Sequence, residues 1–248
     1  MGRLHSIVLK NLFKIPFLFG RMHYYGSHSP KCTKEEKYGL VQDVVARTIR
    51  SGDIEVEVIK KKNIPGEDGF IFFPNHQGMF DGFAMVAANE RPFSPVIKNE
   101  LMDIPVVKEL FICLESLPMV REDIRQSIKV MQEVAQRVRR KENCLIFAEG
   151  TRSKEGNKVQ HFKGGSFKPA VKTKCPVVPV ALIDCFKPFD GHYSGHLKVM
   201  VCILEPLEYF EYSEMKTNEI AETVKGRIER AILCHMENMT TQIELQEV

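Results

Sequence analysis

Three short runs of this 248-residue chain are apolar at nearly every position: Phe70-Ile71-Phe72-Phe73, Cys144-Leu145-Ile146-Phe147 and Val177-Val178-Pro179-Val180-Ala181-Leu182-Ile183. A strand with one wet face alternates, so runs of this kind read as strands buried in a sheet. Segments with helical spacing lie between them. Ile124, Ile128, Met131, Ala135 and Val138 mark a long amphipathic helix with a charged outer face. The alternation predicts an α/β fold, with a single mixed sheet flanked by helices.

The remaining elements fit that frame. Thr33-Lys34-Glu35-Glu36 is a capping box, followed by Tyr38, Val41, Val45 and Ile49 at helical spacing, with Gly52 as a stop. Ile54, Val56 and Val58 alternate with acids and predict a strand. Further strands are expected over 94–97 and 197–204. Helices are expected over 82–90, 105–114 and 167–174, and a final helix carries Ile220, Val224, Ile228 and Ile232. No linker rich in Pro, Gly or Ser interrupts the chain. Residues 1–52 therefore read as an N-terminal helical, membrane-associating segment, and residues 53–248 as one catalytic domain.

Composition narrows the function classes. Hydrophobic residues at 44% and charged residues at 27% are those of a globular protein. A net charge of +3, with no basic stripe interleaved with aromatics, does not point to nucleic acid. The seven cysteines form no C-x-x-C pair and read as reduced thiols. No run of 18 apolar residues is present to cross a bilayer.

The first twenty residues are greasy but punctuated by charge. At about 100° per residue, Arg3, Lys10, Lys14 and Arg21 fall on one narrow arc, and the rest of the circumference is mostly apolar. This predicts a helix lying in the membrane interface, its cations toward anionic lipid, with a break about one turn before Pro16. The competing reading packs this helix on the protein's own core with the cations in water.

Two islands carry the chemistry, each just after a buried strand. Asn75-His76-Gln77-Gly78-Met79-Phe80-Asp81 pairs an imidazole with a carboxylate five residues on. Imidazole can take a proton from an attacking hydroxyl near neutral pH, and a carboxylate on its other nitrogen fixes the tautomer. On a continuous helix the two would diverge by about 140°, so they can meet only if the chain turns between them, which Gly78 permits. Phe147-Ala148-Glu149-Gly150-Thr151-Arg152-Ser153 offers backbone N–H groups, a hydroxyl and a guanidinium fork to an anion. Lys98, Arg121 and Lys163 add cations near other strand ends. Ser153 or Ser166 as a covalent nucleophile remains open, and no second His or Cys stands nearby at zinc-ligand spacing. The pattern points to moving an acyl group onto a hydroxyl of a phosphate-bearing acceptor, with no cofactor or metal required.

With these residues in view, the chain resembles the lysophosphatidate acyltransferases (1-acylglycerol-3-phosphate O-acyltransferases) of the glycerolipid acyltransferase superfamily. The resemblance lies in Asn75-His76-Gln77-x-x-x-Asp81, Lys98-x-Glu100-Leu101 and Val120-Arg121-Glu122-Asp123. It continues in Phe147-x-Glu149-Gly150-Thr151-Arg152-Ser153, Phe162-Lys163-x-Gly165 and Val178-Pro179-Val180-Ala181. It implies an acyl-CoA or acyl-carrier-protein donor, a lysophosphatidate acceptor acylated at sn-2, and phosphatidate as product. By the same resemblance His76 is the base and Asp81 its partner. Glu149, Gly150, Thr151, Arg152, Lys163, Lys98 and Arg121 serve the acceptor, and Pro179 lies near the acyl chain. The place of action would be the cytoplasmic face of the cell membrane, peripheral or monotopic. Three positions depart from the family pattern: Gly78 stands where Ser is common, Glu115-Ser116 replaces a small Gly-rich stretch, and Ala148 replaces Pro. A non-catalytic lipid-binding protein with the same shell, an acyltransferase for another lysolipid or glycerol-phosphate acceptor, and an acyl hydrolase are the alternatives.

Overall fold

The computed structural model describes residues 2–27 and 31–246, with side chains as far as residue 237. Seven strands form one sheet in the order β1-β7-β6-β2-β5-β3-β4. They are β1 (Ile54–Ile59), β2 (Ile71–Pro74), β3 (Phe93–Lys98), β4 (Leu117–Met119), β5 (Asn143–Leu145), β6 (Val177–Ile183) and β7 (Leu197–Ile203). Neighbours run parallel except β6 and β7, which are antiparallel. The sheet is mixed, as expected.

Helices cover both faces. On one side lie α3 (Lys34–Gly52), α4 (Asp81–Ala88) and α5 (Pro105–Cys113). On the other lie α6 (Ile124–Arg139), α7 (Lys168–Thr173), α8 (Tyr209–Tyr212) and α9 (Thr217–Gln246). Alternate side chains of β2 feed the two cores. Ile71 and Phe73 join Val134 of α6 and Val224 of α9, while Phe72 joins Val41 of α3 and Ala84 of α4. All three β2 residues are fully buried, and each such side chain is worth about 1.5–3 kcal/mol of apolar transfer.

Because Val41 and Val45 of α3 belong to that core, α3 is part of the sheet's cover, although the sequence division at 52 places it in the N-terminal segment. The Thr33–Glu36 capping box forms as the sequence requires. The cysteines are all free thiols, five of them buried.

The N-terminus is two helices, α1 (Arg3–Asn11) and α2 (Ile15–Ser27), with the break expected ahead of Pro16. Two of the four cations on the expected basic ridge are engaged by the protein itself. Arg3 donates to the Gly52 carbonyl and Lys10 Nζ donates to the Ser51 carbonyl at 2.9 Å. Both cations cap the carbonyl end of α3, where a helix dipole favours positive charge. Lys14 stays exposed, and beside it stand exposed aromatic rings, Phe13 at 96% and Phe17 at 67%.

Candidate active site

Both islands leave the carboxyl ends of neighbouring parallel strands, β2 and β5. After β2 the chain departs from the sheet, and Asn75 continues its pairing with a side chain. The Asn75 amide donates to the Leu182 carbonyl at 3.0 Å and accepts the Leu182 N–H at 2.7 Å. Gln77 is pinned likewise, its Oε1 accepting the Cys185 N–H at 2.8 Å and its Nε2 donating to Asn157 Oδ1 at 2.7 Å. With its neighbours on either side fixed, His76 is held between them.

His76 and Asp81 meet. A turn over residues 78–80 leads into α4, and Asp81 is the first residue of that helix. Its Oδ2 lies 2.6 Å from His76 Nδ1, and accepts the N–H of Gln77 at 2.6 Å and of Gly78 at 3.0 Å. A carboxylate only accepts, so Nδ1 carries the proton and Nε2 is the basic nitrogen. Asp81 is fully buried and its Oδ1 has no partner. The imidazole stacks on Phe147 with centroids 4.1 Å apart. Gly78 serves the turn differently from the expectation: a Cβ there would come within 2.4 Å of Asp190 Oδ2 and 2.9 Å of Phe186 Cα. Close approach, not a left-handed backbone, excludes a side chain.

The ring lines a cleft of about 1660 Å³. Gly150, Thr151, Arg152, Lys163, Lys98 and Arg121 line it too, so the structure gathers these expected cations and the glycine-threonine turn around one space. Gly150 has φ of +72°, and Lys163 Nζ lies 2.8 Å from where its Cβ would stand. Apolar residues line the rest, among them Phe83, Val86, Val96, Phe111 and Ile128. Ser153 and Ser166 also border the cleft, and neither hydroxyl bonds the imidazole. Among the described residues no group of His, Cys, Asp or Glu is arranged to hold a metal ion.

Two expected substrate residues lie off the cleft wall. Pro179 is buried in β6, at the point where the ladder to β7 ends and a missing N–H costs nothing. Glu149 sits behind His76: its Oε1 accepts the His76 N–H at 2.7 Å and its Oε2 the Gln160 N–H at 3.2 Å. Glu149 is thus a strut between the two islands. Burial pushes its carboxyl up to about 7 against the pull of those two N–H groups.

The unfolded carboxyl, at 4.5, loses its proton before the folded one, so this group lowers stability as pH rises from 4.5 to about 7. Glu149→Gln removes that titration. The stability of the wild type relative to the variant should fall across this window, no more steeply than about 1.4 kcal/mol per pH unit. Denaturant unfolding at several pH values measures it, and a constant difference refutes it.

Spacing in the sequence does not reveal Asn157, Gln160 or Asp190. Arg152 Nη1 donates to Asp190 Oδ1 at 2.9 Å, and Asp190 Oδ2 accepts the Met79 N–H at 2.7 Å.

Known proteins resemble this chain. The chain is 25% identical over 177 residues to 1-acyl-sn-glycerol-3-phosphate acyltransferase of Borreliella burgdorferi, covering 71% of this chain and 70% of that one. It is 29% identical over 150 residues to the chloroplastic acyltransferase BAT2 of Brassica napus, covering 59% of this chain and 43% of that longer protein. The crystal structure of the 1-acyl-sn-glycerophosphate acyltransferase PlsC of Thermotoga maritima shares the fold, with a TM-score of 0.74 at 22% identity over 93% of this chain and 94% of that one. The sequence model of the family described as Acyltransferase matches residues 55–183, which hold both islands and the strands that carry them. This chain belongs to the acyltransferase family.

Proposed function

We propose that the chain moves a fatty acyl group from an acyl thioester, carried by coenzyme A or acyl-carrier protein, to the sn-2 hydroxyl of a 1-acylglycerol-3-phosphate, giving phosphatidate. The observation that carries this reading is a His76 ring oriented by buried Asp81, lining a cleft that also holds Lys98, Arg121, Arg152 and Lys163 and a broad apolar wall. The names of the relatives from Borreliella burgdorferi and Brassica napus agree with it.

In this reading His76 Nε2 takes the acceptor's hydroxyl proton as that oxygen attacks the thioester carbonyl. The carbon–sulfur bond then breaks, and the imidazolium returns the proton to the leaving thiolate. Asp81 stabilises the imidazolium in between. Arg152, Lys163, Lys98, Arg121 and the Gly150-Thr151 turn hold the phosphate, and the apolar walls hold acyl chains. Direct attack is favoured over a serine intermediate, since no cleft serine bonds the imidazole.

The same reading places the protein on a membrane surface, at its cytoplasmic face. Among the described residues no helix is long and apolar enough to cross a bilayer. Leu9 of α1, Leu12 and Phe13 of the turn after it, and Phe17 of α2 are exposed apolar side chains. Leu4 of α1 lines the cleft, so the cleft reaches this N-terminal pair. Replacing both Phe13 and Phe17 with Ser should weaken vesicle binding by about a hundredfold or more, at about 1.5–3 kcal/mol per buried ring. Equal co-sedimentation of variant and wild type would refute the anchor.

Incubating the purified chain with labelled acyl thioesters and a panel of lysolipids tests the whole proposal. Labelled phosphatidate formed only with lysophosphatidate is the expected product. Free fatty acid alone would mark a hydrolase, and vesicle binding without turnover a non-catalytic protein.

A further inference from the structure

We propose that Asp190 is a positioning residue for the acceptor site, holding the Arg152 guanidinium beside the His76–Asp81 turn so that it is ordered before the acceptor's phosphate arrives. This rests on the reading of Arg152 as a phosphate ligand.

The Asp190 carboxylate serves two partners at once. One oxygen accepts from Arg152 Nη1 at 2.9 Å, the other accepts the Met79 N–H at 2.7 Å, midway between His76 and Asp81. One side chain thereby ties the guanidinium to the loop that orients the base. The segment bearing Asp190 is itself fastened to that loop. The Cys185 N–H bonds Gln77, the Asp190 N–H bonds the Phe186 carbonyl at 3.0 Å, and the Phe189 ring packs edge-on against Phe80 at 5.2 Å and Phe83 at 5.6 Å.

Gly78 supplies an independent sign of the same contact. The Asp190 carboxylate fills the space a Cβ at residue 78 would need, its Oδ2 2.4 Å away. A side chain at 78 and the Asp190 carboxylate in this position exclude each other.

The Arg152 side chain is 48% exposed, so repulsion between the Asp190 carboxylate and an incoming phosphate is screened by water and salt. A guanidinium without a tether must instead be ordered at every binding event. Asp190 holds only Nη1 of the fork, and the other N–H groups can turn to an anion.

The test measures KM for lysophosphatidate and for the acyl thioester in the full-length chain, with thermal midpoints alongside. Asp190→Asn can still accept the Met79 N–H but no longer neutralises Arg152. Its acceptor KM should rise about tenfold, with thioester KM and thermal midpoint unmoved. In an Arg152→Ala background, Asp190→Asn should add nothing, because the group it positions is gone. An unchanged acceptor KM in Asp190→Asn, when Arg152→Ala raises it, overturns this inference alone, as does full additivity in the double variant. An unchanged acceptor KM in Arg152→Ala, or a wild type that makes no phosphatidate from lysophosphatidate, overturns the underlying reading and this inference with it.

Discussion

Replacing His76 with Ala should lower kcat by about 10²–10⁴-fold, the usual loss when a general base is removed. The structure makes this substitution clean. The backbone of residue 76 is held by Glu149 Oε1 and by the Ser153 N–H, which the substitution leaves in place. Asp81 keeps the N–H groups of Gln77 and Gly78, so the turn keeps two of its three bonds to that carboxylate. What disappears is the imidazole and its stack on Phe147. Thermal unfolding should therefore change far less than turnover does. The vacated space opens on the cleft, so added imidazole should restore part of the rate. Near-normal kcat in this variant, with phosphatidate still the product, would exclude His76 as the base.

Much of the scaffold is legible in the sequence because burial on two sides leaves a strong mark. The runs at 70–73, 144–147 and 177–183 appear as β2, β5 and β6 with ends shifted by a residue or two. The short strand β4 leaves no such mark, since its three residues include Pro118 and pair only with β3. That β2 and β5 are neighbours, which brings the islands together, is a pairing choice among strands that periodicity does not encode. Orientation is the other gap. The cationic arc of α1 is visible at helical spacing, but whether Arg3 and Lys10 face lipid or the carbonyl end of α3 depends on where α3 ends in space. Glu149 shows the same limit. Its residue type fits a substrate site, yet it faces two backbone N–H groups from inside. Asp190 gives no signal, because it is tied to Gly78 and Arg152 only through the closing of a loop over a hundred residues from the first island.

Asp81→Asn should separate orientation from charge in the same pair. Oδ2 receives three N–H groups, from His76 Nδ1, Gln77 and Gly78, whereas Oδ1 receives none. An asparagine will therefore set its amide oxygen at the Oδ2 position, because an NH₂ there would face three donors. In that pose Nδ1 still donates, so the tautomer and ring orientation persist. The amide nitrogen then occupies the Oδ1 position, fully buried and without an acceptor, at a cost of about 1–3 kcal/mol in stability. What the variant lacks is the negative charge that stabilises the imidazolium while the hydroxyl proton resides on it. The expected loss in kcat is on the order of 10²–10³-fold, with acceptor KM little changed, because the phosphate ligands lie elsewhere on the cleft. A crystal structure of the variant showing an unmoved ring, together with that loss, would assign the effect to charge. An unmoved ring with normal kcat would mean that Asp81 serves only to build the turn, and that the acceptor's proton leaves by another route.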